Sequence, residues 1–315
     1  MTTVVPDMHV TVAIPTRMRV SSLPRLLKSV ADQTRPPAMQ IDVVVIDNDP
    51  AGSAACAVES ARRDGMPGLR YVIEPVPGVA SVRNRALEQA RGDALAFIDD
   101  DEIPAREWIV RLATAMRDHR ADAVFGPVLP QCPMTTGAWI QRIGVFDRSR
   151  HLTGHPIGLP DMRTGNVMLS LSWLRAQQPM LEFDQRLGLT GGEDSLFFAE
   201  ALDRGLRAVW CDEAVVTEAI PESRANASYL VRRYFQIGIS SCTIASIRSG
   251  PLGVAREATK GLLLLPVGVL AGTLLAPLNQ RQAAKWFIKA IMGAGKVAYA
   301  LGVRYRLYAA AATVG

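Results

Sequence analysis

The first two hundred residues alternate short apolar runs with segments of helical periodicity. This alternation is typical of βαβ units and predicts an α/β fold with a mainly parallel, Rossmann-like sheet. The apolar runs predict strands at residues 9–14, 41–46, 69–73, 94–98 and 121–128. Helical patterns predict helices at 23–32, at 79–91 and from Pro104 to 118. A further helix is predicted after the strand at 41–46, ending at about residue 63. The Gly- and Pro-rich residues 130–164 are predicted to form a loop.

The last ninety residues have a different composition. From Arg224 onward there are 12 Lys and Arg but one acid, Glu257, which gives +11; the total of +5 therefore leaves −6 for residues 1–223. We predict an α/β domain at 1–223 and a basic, apolar helical region at 224–315. A basic region can bind nucleic acid or anionic lipid. Its high apolar content favours a membrane surface and argues against nucleic acid.

The mode of membrane attachment stays open at the level of sequence. Residues 261–278 contain no charge, and 18 apolar residues can just cross the hydrocarbon layer, but Pro266 would distort the helix. The later positions Lys285, Lys289 and Lys296 predict a cationic helix face that suits the interface with anionic lipid. We therefore predict peripheral, re-entrant or single-span attachment at the cytoplasmic face of a membrane. The alternative is a buried helical hairpin.

Two further features bear on the compartment. Residues 1–9 lack the basic start and apolar stretch of a secretory signal, so we expect the catalytic part in the cytosol. The four cysteines are far apart in sequence and form no CxxC pair, which argues against a zinc site or a disulfide framework.

Polar residues follow three of the predicted strands. Pro15 and Thr16 follow the first, Asp47 the second, and the triplet Asp99–Asp101 the fourth. Open α/β sheets bind ligands at the carboxyl ends of their strands, so these residues outline a nucleotide diphosphate site if the strands are neighbours. No glycine-rich phosphate loop is present, so Mg²⁺ or Mn²⁺ on the aspartates is expected to hold the diphosphate. A solvated acidic turn is the alternative.

A second acidic pair begins a predicted helix. Gly191 and Gly192 precede Glu193 and Asp194, and such glycines let the backbone approach a ligand. A transferase needs a base for the acceptor hydroxyl. We predict Asp194 for this role, with Glu193 as the second choice. Acidic residues in a first helical turn also offset the helix dipole, and that is the structural alternative.

Together these motifs resemble the family 2 glycosyltransferases. The motifs, in chain order, are Ile14-Pro-Thr, Val45-Ile-Asp-Asn, Pro77-Gly-Val-Ala-Ser-Val-Arg-Asn-Arg-Ala86, Ala96-Phe-Ile-Asp-Asp-Asp-Glu102 with Trp108, Thr164-Gly-Asn166 and Gly191-Gly-Glu-Asp194. Within that family the chain is similar to bacterial enzymes that extend lipid-linked repeat units of exopolysaccharides such as succinoglycan. The resemblance covers roughly residues 9–240.

The resemblance implies a GT-A fold, a nucleotide-sugar donor that is usually a UDP-sugar, a divalent metal and inversion at the anomeric carbon. It places Pro15, Thr16 and Asp47 in the nucleoside pocket and Arg83 near the base or diphosphate. Asp99 and Asp100 would contact ribose and donor sugar, Asp101 with Asp99 would hold the metal, and Asp194 would be the base. Gly191, Gly192, Arg232 and Arg233 are candidates for the acceptor or diphosphate, although the usual Gln-x-x-Arg-Trp motif is absent.

Two other functions fit parts of the pattern. A sugar-nucleotide-forming nucleotidyltransferase also places metal-binding aspartates on such a sheet, but it should have a glycine-rich basic loop after the first strand. Residues 14–19, Ile-Pro-Thr-Arg-Met-Arg, contain no glycine. A catalytically inactive, membrane-bound nucleotide-binding scaffold is the alternative from another class, and the intact set of acids argues against it.

Overall fold

A computed structural model describes residues 7–19 and 21–304. Its strands are β1 (Met8–Thr16), β2 (Met39–Asp47), β3 (Arg70–Ile73), β4 (Ala94–Ile98), β5 (Glu102–Pro104), β6 (Ala123–Phe125), β7 (Val128–Gln131), β8 (Asn166–Ser170), β9 (Ala208–Trp210) and β10 (Val216–Ala219). Seven of them form one mixed sheet in the order β3-β2-β1-β4-β8-β6-β9. All neighbours in it are parallel except at β8, which runs antiparallel to both β4 and β6. The predicted α/β fold is therefore confirmed.

The helices are α1 (Leu23–Ala31), α2 (Ala55–Arg63), α3 (Val79–Gln89), α4 (Trp108–Asp118), α5 (Ala138–Ile143), α6 (Leu171–Arg175), α7 (Glu193–Asp203), α8 (Ala227–Leu275) and α9 (Gln280–Ala300). In α1 the buried residues Leu23, Leu26, Leu27 and Val30 recur at helical spacing, and Pro24 lies in the first turn, where its missing N–H costs nothing. This helix therefore presents one apolar stripe to the sheet.

The core consists of two apolar layers, one on each face of the main sheet. Alternate residues of β4 divide between them: Ala94, Ala96 and Ile98 belong to one layer, and Leu95 and Phe97 to the other. Side chains along a strand alternate between faces, so a strand covered on both sides is apolar at every position. The near-continuous apolar run before the aspartates has this cause.

Three predicted boundaries differ from the structure. Pro104 ends the short strand β5, and α4 begins at Trp108 instead. The predicted strand 121–128 is two strands, β6 and β7, divided at Gly126, where a Cβ would come 2.6 Å from the Asn166 amide nitrogen. The predicted loop 130–164 contains the short helix α5. Strands β5, β10 and β7 form a second, three-stranded sheet.

The chain divides into two compact units. Among the described residues, the second consists of 130–147, 189–192 and 219–304, and the first contains the others, including the main sheet. The predicted boundary at 223/224 stays a prediction. Within the second unit, α8 changes direction at Gly250, whose φ of 58° and ψ of −147° are not helical, and α9 packs against it.

One helix among the described residues, α8, is long and apolar enough to cross a membrane by length and composition alone. The predicted cationic face of α9 is only partly correct. Lys285 and Lys289 are exposed, but the Lys296 side chain is 10% exposed and its Nζ lies 2.5 Å from Glu257 Oε2 on α8. Pairing across the two helices therefore removes Lys296 from the surface.

Candidate active site

The strand order brings the predicted strand ends to one edge of the main sheet. Strand β1 lies between β2 and β4, and Thr16 pairs in register with Asp47. The condition that these strands are neighbours is therefore met. Since β1, β2 and β4 are parallel, the residues that follow them emerge at the same edge.

The aspartate triplet does not present three equivalent carboxylates. Asp100 points inward, and its Oδ2 accepts a hydrogen bond from Thr16 Oγ1 at 2.7 Å. Burial raises the Asp100 pKa to about 7, although the Thr16 hydrogen bond and Arg19 both lower it. Arg19 Nη2 also lies 3.4 Å from Asp101 Oδ2. The contact of Arg19 with the triplet is a feature that sequence reasoning missed, because no motif marks that arginine.

Asp99 is the most open of the three, with 42% of its side chain exposed. Desolvation on its protein side nonetheless raises the Asp99 pKa; Arg83 opposes the shift, and the charges of Asp101 and Asp194 add to it. These four charged groups therefore belong to one electrostatic environment, with Asp194 on α7 close enough to influence Asp99. The structure therefore places the acidic pair at the start of α7 near the triplet.

Glu102 holds the turn that follows β4. Its Oε2 accepts the Asp99 N–H at 3.0 Å, and the Glu102 N–H donates to the Asp99 carbonyl at 3.1 Å. The side chain is buried, which raises the Glu102 pKa well above its ordinary value. Gly165 packs against this turn so closely that a Cβ would lie 2.7 Å from Glu102 Oε1 and 3.1 Å from Asp99 Oδ2. Sequence reasoning gave neither residue a role.

Asp47 is fully buried, and protein donors occupy its carboxylate. Its Oδ1 accepts the Asp49 N–H at 3.0 Å, and its Oδ2 accepts the Ala54 N–H and the Tyr71 hydroxyl, each at 2.8 Å. Burial and this hydrogen bond raise the Tyr71 pKa. The next residue, Asn48, is also buried and donates to two backbone carbonyls of the loop after β3. Through these hydrogen bonds Asp47 stabilises the loop that follows β2.

The two acids at the start of α7 have different environments. Glu193 is buried and forms an ion pair with Arg83 Nη1, and its other oxygen, Oε2, has no hydrogen-bond partner. Burial raises the Glu193 pKa, while Arg83 opposes the shift. Asp194 is half-buried, and its Oδ1 accepts the Ser195 N–H at 2.7 Å. Of the two carboxylates, Asp194 is the more exposed to solvent.

Arg83 links these two groups of acids. It lies on α3 with its side chain 9% exposed, beside the Phe183 ring, with its guanidinium carbon 5.7 Å from the ring centroid. Its Nη2 is 4.0 Å from Asp99 Oδ1, while Nη1 contacts Glu193. A buried guanidinium held between two carboxylates places positive charge beside the triplet.

The donor atoms at this edge suit a small, hard cation. Asp99 and Asp101 provide carboxylate oxygens, which Mg²⁺ and Mn²⁺ prefer. Within residues 7–19 and 21–304 there is no group of three or more His, Cys, Asp or Glu side chains arranged for a metal. Mg²⁺ in nucleotide enzymes is usually held by one or two carboxylates plus substrate phosphates. The residues present therefore fit a metal that is completed by a bound diphosphate.

The remaining predicted residues belong to the second unit. Gly191 and Gly192 have φ values of 79° and 99°, a region that favours glycine, and directly precede α7. The preceding Thr190 carbonyl accepts hydrogen bonds from Gln236 and Ser240 of α8. Arg232 and Arg233 are exposed on α8.

Comparison with known proteins points to one family. Residues 11–175 match the family model described as "Glycosyl transferase family 2". The chain is 30% identical over 304 residues to the succinoglycan biosynthesis protein ExoM of Rhizobium meliloti (strain 1021). This match covers 94% of each of the two chains.

Two solved structures extend the comparison to the fold. The mannosyltransferase PcManGT from Pyrobaculum calidifontis, in complex with GDP-Man and Mn²⁺, is similar with a TM-score of 0.63 and 18% identity, over 94% of this chain and 88% of that one. Residues 1–349 of S. aureus TarS, in complex with UDP-GlcNAc, give a TM-score of 0.54 and 18% identity, over 95% and 93%. The predicted GT-A fold is confirmed by this likeness.

Proposed function

Because the chain belongs to glycosyl transferase family 2, we propose that it is an inverting, metal-dependent enzyme that moves a hexose from a UDP-sugar to a hydroxyl of a lipid-linked oligosaccharide. Glycosyltransferase activity itself follows from the family. The observation that carries the proposal is the meeting of Asp99, Asp101, Arg83 and Asp194 at one edge of the sheet. The proposed sugar transfer is a step in the synthesis of a bacterial exopolysaccharide or another cell-surface glycan, in line with the relationship to ExoM.

The proposed donor site lies at the ends of β1, β2 and β4. Pro15 and Thr16 line the nucleoside pocket, with Thr16 fixed by its hydrogen bond to Asp100. Asp47 supports the pocket through the loop after β2, since its own oxygens are occupied. The complexes of TarS with UDP-GlcNAc and of PcManGT with GDP-Man support a nucleotide-sugar donor, and this chain is expected to use a UDP-sugar.

Asp101 and Asp99 are proposed to hold Mg²⁺ or Mn²⁺, and the Mn²⁺ in the PcManGT complex supports this assignment. When bound, the ion neutralises the charge that develops on the departing diphosphate. Arg83 adds positive charge on the same side, since its guanidinium faces Asp99. Asp99 and Asp100 are proposed to contact the ribose and donor sugar, and Asp100 also holds Thr16 by its hydrogen bond.

Asp194 is proposed as the general base. It accepts the proton of the acceptor hydroxyl as that oxygen bonds to the anomeric carbon and the carbon–oxygen bond to the nucleoside diphosphate breaks. The displacement inverts the anomeric centre. Glu193 is less suited to this role, because it is buried against Arg83. We keep Gly191, Gly192, Arg232 and Arg233 as proposed contacts of the acceptor or diphosphate.

The proposal includes attachment to the cytoplasmic face of a bacterial inner membrane, where a lipid-linked acceptor would be found. The length and apolar composition of α8 support it. Lys and Arg outnumber acids in this region, which favours anionic lipid.

The test is to incubate the purified full chain with a panel of UDP- and GDP-sugars, with and without Mg²⁺ or Mn²⁺, and to follow donor hydrolysis and transfer to a lipid-linked acceptor. We expect hydrolysis with one UDP-sugar and its loss on chelation. Asp194→Asn should bind UDP with unchanged affinity but lose transfer. An Asp194→Asn protein that transferred at the normal rate would refute the assignment of the base.

A further inference from the structure

The second half of α8, residues 251–275, has an inverted distribution of side chains. Its buried positions are glycines: Gly261, Gly268 and Gly272. Its exposed positions include Leu262, Leu263, Leu265, Val267, Val269, Leu270 and Leu274. A helix of a water-soluble protein normally buries its large apolar residues and exposes polar ones. Contiguous exposed apolar surface of this kind indicates an interaction site.

The glycine face locks α8 to α9. A Cβ at Gly261 would lie 2.7 Å from the Gly293 carbonyl oxygen, and one at Gly268 would lie 2.6 Å from the Trp286 carbonyl oxygen. Backbones that approach this closely leave no room for side chains between them. The two helices therefore form a pair that can enter a new environment only together.

The exposed cations of helix α9 disfavour its insertion into the hydrocarbon layer. Arg281, Lys285 and Lys289 are exposed on it. Arg281 Nη2 is also bound to Asp147 Oδ2 at 2.6 Å, close to α5 within the same unit. Charged side chains at the bilayer centre are strongly disfavoured. A single transmembrane span of α8 would have to draw these cations across or break the glycine contacts.

The cations are placed instead to meet lipid headgroups. Arg256 and Lys260 precede the apolar stretch, and Arg281, Lys285 and Lys289 follow it. Lys289 Nζ lies 4.1 Å from the centroid of the Trp286 ring, and Trp with a neighbouring cation is typical of the membrane–water interface. A second copy of the chain would bring like charges together around the same apolar face, so the charge distribution favours anionic lipid.

We propose that the apolar face of α8, formed by the seven exposed Leu and Val residues above, lies in the plane of one leaflet of an anionic membrane, with α9 above it at the headgroups. The helix does not cross the bilayer. This inference rests on the membrane attachment in the proposed function and selects one of its three modes. The proposed partner of this apolar face is the acyl chains of the lipids.

Binding is tested with vesicles of phosphatidylcholine and phosphatidylglycerol, by co-sedimentation of the full chain. Leu263 and Leu270 are 64% and 63% exposed, so Glu at both positions should not disturb folding. We expect Leu263→Glu with Leu270→Glu to weaken binding by more than about tenfold. The matched control is Leu152→Glu, at a position that is 84% exposed in a loop of the first unit, and it should bind as the parent does. Equal binding by the double variant would overturn the assignment of the face.

The side of the membrane on which each end of the helix lies distinguishes an in-plane helix from a transmembrane helix. In a chain with Cys56→Ser and Cys132→Ser, Ser249→Cys and Gln282→Cys place one exposed thiol at each end of the helix. A membrane-impermeant maleimide added outside the vesicles should label both at similar rates.

Labelling of Gln282→Cys only after detergent would show a span and overturn the proposal, while membrane attachment itself would stand. Failure of the parent to sediment with vesicles would overturn both, while donor hydrolysis in solution would still report the transferase. Self-association of the free chain that disappears in Leu263→Glu with Leu270→Glu, without vesicle binding, would identify a second copy as the occupant.

Discussion

The ion pair between Arg83 and Glu193 provides a test that separates structural from catalytic roles in the acidic pair. Both side chains are less than one-tenth exposed, so solvent screens their interaction little. Glu193→Leu keeps the volume but leaves the guanidinium buried without its main counter-charge. Removing one partner of a buried pair costs about 3–5 kcal/mol. Because Asp99 lies 4.0 Å from Arg83 Nη2, we expect the lower end, about 3 kcal/mol.

For a domain of this size, a loss of 3 kcal/mol corresponds to a fall of about 6–12 °C in melting temperature. The measurement is thermal unfolding followed by circular dichroism, with the full chain in the same buffer for all variants. Adding Arg83→Met to Glu193→Leu removes the stranded charge and should restore at least about half of the loss. The coupling between the two sites then follows from the double-mutant cycle.

Asp194→Asn is the matched control, because it changes the next carboxylate in the chain, which is half-buried. Its stability should stay within about 0.5 kcal/mol of the parent, while its transfer activity is lost. The reverse pattern would refute the reasoning: a Glu193→Leu protein as stable as the parent but inactive, together with an active Asp194→Asn, would make Glu193 the base.

Three further outcomes are expected. Gly165→Ala would place a methyl group 2.7 Å from the buried glutamate that holds the aspartate turn, so unfolding measured with urea should show a loss of about 1–3 kcal/mol; Gly68→Ala, with no atom within 4 Å of the added carbon, should be nearly neutral. Asp101→Ala should abolish metal-dependent donor binding in calorimetry, and unchanged binding would count against the metal assignment. Burial raises the Cys211 pKa to about 11, so at pH 8 iodoacetamide should modify exposed Cys56 and reach Cys211 only after unfolding; equal rates in the native chain would contradict the buried thiol.

Sequence patterns predicted five of the seven strands of the main sheet and missed β8 and β9. The central strands were predicted best because they are covered on both faces. The run Ala94–Ile98 is apolar at every position for that reason, and the polar residues that follow such strands identified the edge with the aspartates. Pro104 was misleading, since proline is favoured both at the start of a helix and at the end of a short strand.

The contacts within the candidate site depend on partners far apart in the chain. Asp47 owes its internal hydrogen bond to Tyr71 on another strand, and Glu193 is paired with a residue 110 positions away. The spacing of residues along the sequence does not show whether a carboxylate already has a hydrogen-bond or ion-pair partner in the fold. For the same reason the sequence marked Lys296 as a surface cation, although Glu257 on α8 holds it inside the helix pair.

The reversed direction of β8 has a consequence for how such a sheet can diversify. The chain leaves the main sheet after Phe125 and re-enters it at Asn166, and because β8 is antiparallel to β6, both points lie at the same edge. The forty residues between them form an excursion that starts and finishes beside the strand ends. Lengthening or shortening its middle, residues 132–153, shifts no strand of the main sheet by a residue, and β7 keeps its place as well. Such a sheet can therefore exchange segments at its rim while its core strands stay in register.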